Sequence, residues 1–311
     1  MNHNNFCLPS PPLFKKHLSA VASSSGRLFH CSALECLAVL AEDSFIPDLV
    51  YIDPPFGKNR YFGSEETGYE DPKPSEILKS IEEVIYHVKN LLDRTGSIII
   101  HVDNTLSHHI RIIGDTIFGG NNFRNQIIWS YRTGGRPHNS YPRKYDTLLW
   151  YSKSPNYHFN STNAVVDTNR CSSCGQKLVR NHLKKTLMPD GSIVKSIKSG
   201  GKTYTYNDDR NPTLTDVWND IPHLHQLDPQ RTHWPTQKPV ALLERILKIH
   251  VPSGGRVIDL FCGSGTTFIA AENLGITWAG CDIEKAAIDI TWQRLTEVCS
   301  GAEERIERFE K

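Results

Sequence analysis

Leu49-Val50-Tyr51-Ile52-Asp53-Pro54-Pro55-Phe56-Gly57 is the stretch from which the rest of the chain can be interpreted. Valine, tyrosine and isoleucine favour a buried strand, and the two prolines end it because neither can donate to a sheet ladder. We therefore expect Asp53 and Phe56 at the carboxyl end of a strand, which is where open α/β sheets bind ligands.

Alternating strand and helix patterns surround this stretch. Residues 57–71 are a Gly- and charge-rich run that predicts a loop, and Ser75 has the position of a cap for an amphipathic helix ending at Leu92. Strands are predicted at 27–30, 97–102, 125–131 and 146–151, and further helices at 33–40 and 107–118. The alternation indicates an α/β fold with a mostly parallel, Rossmann-like sheet.

A second stretch with a chemical signature lies near the end of the chain. It reads Asp259-Leu260-Phe261-Cys262-Gly263-Ser264-Gly265-Thr266-Thr267, between a predicted strand and a predicted helix, and the next strand ends at Asp282. The glycines allow a ligand to approach the backbone closely, and an acid at the next strand end can bind ribose hydroxyls. Phe268 stands where the dinucleotide fingerprint has its third glycine, which argues against NAD or FAD.

The composition sets limits on size and partners. The 311 residues are 38% hydrophobic, which is enough for one large α/β domain with an insertion or for two small domains. The net charge is only +1, but residues 152–210 contain ten Lys and Arg against four Asp and Glu, so this segment carries +6 and the rest −5. A basic segment on a mildly acidic body favours a polyanionic partner, and a solvated lysine-rich loop is the alternative.

Cysteine usage and hydropathy indicate a reduced, cytoplasmic protein. Of eight cysteines, Cys31, Cys36, Cys262 and Cys281 lie in apolar settings and are interpreted as small buried residues. No apolar run is long enough to span a membrane. Residues 1–26, rich in Asn, Pro and Ser, predict a flexible arm.

Together the two quoted stretches resemble the motifs of amino-directed DNA methyltransferases. Residues 53–56 are similar to their Asp-Pro-Pro-Tyr/Phe catalytic motif, and residues 259–267 are similar to their S-adenosylmethionine loop in the form that the β-class uses. Thr236-Gln237-Lys238-Pro239 resembles the β-class motif that precedes this loop. In that class the catalytic motif comes first, then a target-recognition insertion, then the cofactor loop, as here. The resemblance covers about 28–151 and 232–294 and implies a circularly permuted fold.

The resemblance implies methyl transfer from S-adenosylmethionine to the exocyclic amine of a flipped base. Such an amine is a poor nucleophile because its lone pair is delocalised into the ring, and acceptors on its hydrogens would localise that lone pair. The implied catalytic residues are Asp53 and the carbonyl of Pro54 as acceptors, Pro55 in the same motif, and Phe56 as a flat face for the base. Asp rather than Ser before the prolines points, by resemblance, to adenine N6 over cytosine N4.

The resemblance also implies which residues hold the cofactor. Gly263 and Gly265 would approach its methionine part, Phe261 and Lys238 would line its pocket, and Asp282 would hold the ribose hydroxyls. Four more contacts are expected from the same loop: Asp259, Ser264, Thr266 and Thr267.

This chain departs from the family pattern after its first strand. Relatives usually carry Gly-Asp there, and the Asp contacts the cofactor adenine, whereas this chain has Cys31-Ser32. Ser32 is expected to offer a hydrogen bond in place of the acidic contact.

Double-stranded DNA is the expected partner. The insertion is interpreted as the target reader, with lysines on phosphates and polar side chains on base edges; the bases that it reads are left open. The residues predicted to contact DNA are Lys58, Arg60, Arg132, Arg136, Lys184 and Lys185. Cys171 and Cys174 form half of a zinc knuckle, but a structural zinc site needs four ligands, so no metal is predicted unless a histidine completes the set.

The expected organisation has five parts: an arm at 1–26, a catalytic half at 27–151, the insertion at 152–231, a cofactor-binding half at 232–296 and a charged tail, expected to fray, at 297–311. The predicted function is a site-specific adenine-N6 DNA methyltransferase. A cytosine-N4 enzyme of the same class and a non-catalytic DNA-binding protein that retains the fold stay open as alternatives. Family precedent adds a homodimer and a separately encoded restriction endonuclease as partners, and an orphan regulatory role is equally open.

Overall fold

The computed structural model describes residues 6–12, 15–16, 26–64, 67–132, 137–165, 184–191, 193–207, 213–299 and 301–310. The chain forms two compact units, Met1–Asn160 with Asp216–Lys311, and Ser161–Thr215. Among the described residues, none of the helices combines the length and the apolar character needed to cross a bilayer.

The elements alternate as the hydrophobic pattern predicts. The helices are α1 (Ala33–Glu42), α2 (Pro74–Leu91), α3 (Ser107–Phe118), α4 (Val240–His250), α5 (Thr266–Leu274), α6 (Lys285–Val298) and α7 (Ala302–Arg305). The strands are β1 (Lys15–Lys16), β2 (Gly26–His30), β3 (Leu49–Ile52), β4 (Arg60–Gly63), β5 (Gly68–Asp71), β6 (Ser97–Val102), β7 (Phe123–Ser130), β8 (Tyr145–Ser152), β9 (Lys184–Leu187), β10 (Ile193–Ser199), β11 (Lys202–Asn207), β12 (Val217–Trp218), β13 (Arg256–Asp259), β14 (Thr277–Asp282) and β15 (Ile306–Glu310).

A large sheet organises the first unit, with strand order β1-β15-β2-β14-β13-β3-β6-β8-β7-β12. The strands from β15 to β6 run parallel, and β8 runs antiparallel to both β6 and β7. Strand β13, from the end of the sequence, therefore lies beside β3 from its beginning. This pairing brings the two motif-bearing strand ends together at one edge of the sheet.

Helices cover both faces of this sheet. Strands β3 and β6 are buried throughout, in line with their unbroken apolar sequences. Val50 and Ile52 project into a core shared with α1, α2 and α3. On the opposite face, Phe268 of α5 stacks on Trp278 of β14, with ring centroids 4.2 Å apart. The predicted α/β fold with a mostly parallel sheet is confirmed.

Two local predictions in the first half are wrong. Residues 57–71 contain an antiparallel hairpin, β4 with β5, rather than only a loop. Helix α2 begins at Pro74, with Lys73 and not Ser75 in the cap position. Proline suits the first helical position because the missing N–H would have no partner there.

The carboxyl-terminal segment also differs from its prediction. It does not fray, because β15 pairs in parallel with β2 and Ile306 is fully buried. Phe309 stacks on Phe29 of β2, with ring centroids 4.5 Å apart. The many charged residues of this segment led to the wrong prediction, although its apolar residues Ile306 and Phe309 attach it to the sheet.

The second unit contains a small antiparallel sheet in the order β11-β10-β9. Lys185 of β9 lies directly opposite Lys195 of β10, and Lys184 lies opposite Ser196.

Candidate functional site

A cavity of about 240 Å³ opens at the edge of the large sheet where the strands end. Asp53 and Pro55 line it, together with Tyr51 from the strand before them. All the residues predicted to hold a cofactor, except Gly265, also line it: Ser32, Lys238, Asp259, Phe261, Gly263, Ser264, Thr266, Thr267 and Asp282. Two motifs that are about 200 residues apart thus enclose one space.

Asp53 follows β3 directly, and its carboxylate is mostly buried. The ammonium of Lys238 donates a hydrogen bond to Asp53 Oδ2. Within the described part of the chain, Asp53 Oδ1 is buried and has no hydrogen-bond partner. A buried acceptor without a donor is costly, so this oxygen is the atom in the site that most needs a ligand hydrogen.

Phe56 and the ammonium of Lys238 also lie close together. The nitrogen is 5.5 Å from the ring centroid of Phe56, within the range of a cation–π interaction. Lys238, predicted as a cofactor contact, therefore lies at the catalytic motif itself. Pro54 is buried and Phe56 is half-buried; neither lines the cavity directly.

Asp71 is a residue of the site that the sequence analysis missed. Its side chain accepts hydrogen bonds from the backbone N–H of Gly57 (2.7 Å) and of Phe56 (3.3 Å). Gly57 has φ +69°, a conformation that L side chains rarely adopt. Asp71 lies at the end of β5, so the hairpin holds the turn that follows Asp53. Only recognition of the hairpin could have drawn attention to this residue.

The glycine turn after β13 is compact. Gly263 has φ +51°, and a Cβ atom there would come within 2.7 Å of Nε1 of Trp234. Its N–H donates to Asp282 Oδ2 at 2.8 Å, and Oδ1 of the same carboxylate accepts from the N–H of Glu284 at 3.0 Å. Asp282 therefore ties the turn to the following strand, and a side chain at position 263 would clash with the ring of Trp234.

Asp259 has an internal role in the same turn. Its carboxylate accepts the hydroxyl hydrogen of Thr267 and the N–H of Phe261 (3.1 Å). Burial, together with the negative charges of Asp53 and Asp282, raises the pKa of Asp259 to about 7. Burial likewise raises the pKa of Asp282 to about 6. The carboxyl groups of Asp53, Asp259 and Asp282 thus line one cavity.

Arg294 on α6 contacts the glycine turn that follows β13. The sequence analysis also missed this residue. Its guanidinium donates to the carbonyl of Ser264 and reaches the hydroxyl of Thr266 at 3.2 Å. Burial lowers the pKa of Arg294 to about 10. It nevertheless keeps its charge at neutral pH and can hold both residues.

Ser32 closes the amino end of α1. Its hydroxyl accepts from the N–H of Glu35 at 3.4 Å, and Glu35 accepts in return from both the hydroxyl and the N–H of Ser32, at 2.8 and 3.0 Å. This is a capping box, for which Ser-x-x-Glu is the sequence signal. The expected hydrogen bond from Ser32 to a ligand would have to be made beside this cap.

The residues predicted to contact DNA are placed in different settings. The ammonium of Lys58 is bonded to Asp103 and to Thr105 (3.0 Å), and the guanidinium of Arg60 lies 4.2 Å from the ring centroid of Phe62. The exposed residues are Arg60 and Arg132 in the first unit and Lys184 and Lys185 in the second. Arg136, Cys171 and Cys174 lie outside the described residues.

Comparison with known proteins gives one family and many relatives. A family model described as a DNA methylase of the N6/N4 type matches residues 47–293. The chain is 26% identical to the type II methyltransferase M.HpaI of Haemophilus parainfluenzae over 92% of this chain and 79% of the relative. It is 27% identical to the DNA adenine methyltransferase YhdJ of Escherichia coli strain K12, over 91% and 87% respectively.

Solved structures share the fold at low sequence identity. The structure of an M1.HpyAVI–SAM complex has a TM-score of 0.55 at 19% identity, covering 87% of this chain and 99% of that one. The cytosine-N4-specific PvuII DNA methyltransferase has a TM-score of 0.56 at 14% identity, covering 90% of this chain and 95% of that one. These likenesses concern the architecture of the chain.

Proposed function

The chain belongs to the N6/N4 family of DNA methylases, as an amino-directed methyltransferase of the β-class, and on this premise we propose that it methylates adenine N6 in duplex DNA with S-adenosylmethionine as the donor. The choice of adenine rests on Asp53, which stands where Ser would favour cytosine. The relative named as a DNA adenine methyltransferase supports the same choice.

The observation that carries this proposal is the unpaired oxygen of Asp53. Among the described residues it has no donor, although it is buried beside a cavity. An exocyclic amine placed there would donate one hydrogen to Oδ1 and thereby gain lone-pair density on nitrogen. The carbonyl of Pro54 is the proposed acceptor of the second hydrogen. The ammonium of Lys238 occupies Oδ2 and leaves Oδ1 for the amine.

The cavity walls fit the proposed donor. Asp282 has two of its lone-pair positions filled by backbone N–H groups, and a carboxylate has about four, so ribose hydroxyls can take the others. Gly263 permits close approach of a ligand to the backbone because it carries no Cβ. When bound, S-adenosylmethionine supplies an electrophilic methyl group on positively charged sulfur. Asp53 then stabilises the positive charge that develops on the target nitrogen and accepts its proton, directly or through water.

Methylation of mixed-sequence, unmethylated DNA tests the proposal. We expect N6-methyladenine among the product nucleosides, and we expect Asp53→Ala to remove it while the exposed control Asp43→Ala retains it. N4-methylcytosine in place of N6-methyladenine would contradict the choice of base and keep the chemistry. DNA binding without any transfer would favour the non-catalytic alternative.

The proposed partners are duplex DNA, a separately encoded restriction endonuclease and a second copy of the chain. Lys184, Lys185 and Arg132 are exposed and would reach the phosphate backbone, which predicts salt-sensitive DNA binding. A separately encoded restriction endonuclease would fail to cut DNA that this protein has methylated; the names of the type II relatives support that role. A homodimer is proposed on family precedent, and sedimentation of the full chain tests it.

A further inference from the structure

The connection between β7 and β8 leaves the large sheet at the same edge as Asp53. Strand β6 runs parallel to β3, and β8 runs antiparallel to β6, so β8 begins where β3 and β6 end. Strand β7 ends at the same level, because Ser130 is paired with Tyr145. In the sheet order, β3 and β6 separate this connection, residues 131–144, from β13 and β14, the strands of the proposed cofactor site. The connection therefore lies on the other side of Asp53 from that site.

Hydrogen bonds hold the base of this connection. The N–H of Tyr131 donates to the carbonyl of Lys144 at 2.9 Å, which joins the two ends of the connection. The hydroxyl of Tyr131 donates to Oδ1 of Asp146, a buried residue of β8, at 3.0 Å. These bonds tie both ends of the connection to the sheet, so the residues between them are carried at the edge where Asp53 lies.

Tyr141 is the exposed aromatic residue of the connection. It is 95% exposed, more than any other large apolar residue in the part of the chain that the structure describes. Pro142 follows it and restricts the backbone of Tyr141 to extended conformations, which limits the directions that the ring can take. Single exposed apolar residues are common on protein surfaces, so the surroundings of Tyr141 must indicate whether it has a partner.

The surroundings of Tyr141 are basic. Residues 131–144 contain four Lys and Arg and no Asp or Glu, a charge of +4 in a chain whose net charge is +1. Arg132 and Arg143 are exposed. Cations of this kind bind phosphates, and an aromatic ring among them can stack on bases. The combination therefore fits a nucleic acid partner.

Leu227 gives a contrast at the same edge of the sheet. It is 89% exposed and lies in the connection that follows β12, and β12 ends at this edge because it runs parallel to β7. The next residue is Asp228, whose negative charge would be repelled by DNA phosphates. Of the two exposed side chains, Tyr141 is therefore the one whose neighbours favour contact with DNA.

The proposed reaction requires such a contact, because the target base must leave the duplex. An amine inside the stack is out of reach, so enzymes that act on it turn the nucleotide out and lose its pairing and stacking. The gap that remains is lined by the faces of the two neighbouring bases. A side chain that enters the gap and stacks on them offsets part of this loss, and proteins use apolar side chains in this way between base steps.

We propose that Tyr141 enters the duplex and fills the gap left by the flipped base, while Arg132 and Arg143 hold the phosphates beside it. The inference rests on the proposed function and extends it to the step before methyl transfer. Tyr141 is a positioning residue, since it touches neither the cofactor nor the reacting atoms. It acts by raising the population of DNA in which the target base is turned out.

Single-turnover methyl transfer at saturating DNA tests the role of the ring, with a duplex that carries one site found by methylation of mixed-sequence DNA. We expect Tyr141→Ala to lower the rate about tenfold, the size expected for loss of one base–ring stack, and Tyr141→Phe to retain it. Leu227→Ala is the matched control and should leave the rate unchanged, because it removes a similarly exposed side chain from the same edge. An unchanged rate in Tyr141→Ala, or an equal loss in Leu227→Ala, would overturn the proposal.

A pyrene nucleotide opposite the target base separates gap filling from other roles. The pyrene ring occupies the space of a base pair, so on this duplex the gap is filled without the protein. We expect Tyr141→Ala to transfer methyl groups as fast as the unaltered protein there. Arg143→Gln should instead keep its weaker and less salt-dependent binding on both duplexes, because it removes a phosphate contact. A loss in Tyr141→Ala that persists on the pyrene duplex would overturn the proposal.

Fluorescence of 2-aminopurine in place of the target adenine gives a readout that does not depend on activity. Its emission is quenched in the stack and rises when the base is turned out. We expect the unaltered protein to raise it and Tyr141→Ala to raise it less, and equal rises would overturn the proposal. The rates also distinguish this inference from the proposed function. Absence of transfer by the unaltered protein would refute the proposed function, whereas normal transfer by Tyr141→Ala would refute only this inference.

Discussion

Lys238 and Asp53 form a mostly buried ion pair although they are 185 positions apart in the chain. The pair joins the motif that precedes the glycine turn to the motif that follows β3. Its ammonium occupies one carboxylate oxygen, and the other has no hydrogen-bond partner among the described residues. This contact joins two motifs that are far apart along the chain.

Removal of Lys238 should cost stability as well as activity. Lys238→Met leaves the Asp53 carboxylate buried without its counter-charge, and we expect the free energy of unfolding in urea to fall by about 3 kcal/mol. Asp53→Asn removes the charge that then lacks a partner, so the double variant should be less destabilised than the sum of the two single variants.

Lys285→Met is the control for that experiment, because Lys285 pairs with Asp289 at an exposed position. Its effect should stay below about 1 kcal/mol. Strict additivity of Lys238→Met and Asp53→Asn would show that the pair makes no energetic contribution.

Asp71 should affect catalysis through the turn that it holds. Asp71→Ala removes the acceptor of the Gly57 and Phe56 N–H groups, and we expect a loss of about 1–3 kcal/mol in unfolding free energy for buried donors left unpaired. The methyl-transfer rate per folded molecule should also fall, because Asp53 lies just before the turn that Asp71 holds.

The exposed residue Glu76 provides the comparison for Asp71. Glu76→Gln should change both quantities little. If Asp71→Ala retains the full transfer rate under conditions in which it is folded, the hairpin has no role in holding the catalytic turn.

Local patterns in the sequence predicted β2, β3, β6, β7, β8, β13 and β14, most helices and the position of Asp53, because apolar runs and prolines report on their immediate surroundings. The other strands were not predicted. The pairing of Lys238 with Asp53 could not be predicted in this way, because it depends on β13 lying beside β3. The role of Asp71 depends on the register of the β4–β5 hairpin. The charged, Gly-rich sequence of that hairpin gave no strand pattern. Each missed contact joins residues that only the tertiary fold brings together.

The wrong cap at Ser75 had a signal that could have been used, because the proline immediately before Ser75 suits the first turn of a helix. The capping role of Ser32 was also signalled, by Glu35 at the spacing of a capping box. In the terminal segment, Ile306 and Phe309 are apolar residues among charges, and only pairing with β2 shows that they are anchored. The proposed roles of the remaining site residues stay predictions.

Asp259 should make stability depend on pH near neutrality. Its folded-state pKa of about 7 is above the unfolded value, so the folded state binds more protons, and stability is lost as pH rises from about 4 through 7. Asp259→Asn lacks this titration. Relative to the variant, the unaltered protein should lose about 1.4 kcal/mol of unfolding free energy per pH unit in that range. A pH-independent difference between the two would contradict the elevated pKa.

His250 should have the opposite dependence in acid. It packs against Trp150, with ring centroids 4.5 Å apart, and burial lowers its pKa to about 3. Because the unfolded state binds the proton more readily, stability is complete above about pH 6.5 and is lost at about 1.4 kcal/mol per pH unit below it. His250→Phe should keep the packing and abolish this loss in urea titrations at pH 5 and 7, whereas the exposed control His109→Phe should retain it. Equal acid sensitivity of His250→Phe and the unaltered protein would mean that His250 is protonated in the folded state, and the core around Trp150 would then have to admit water.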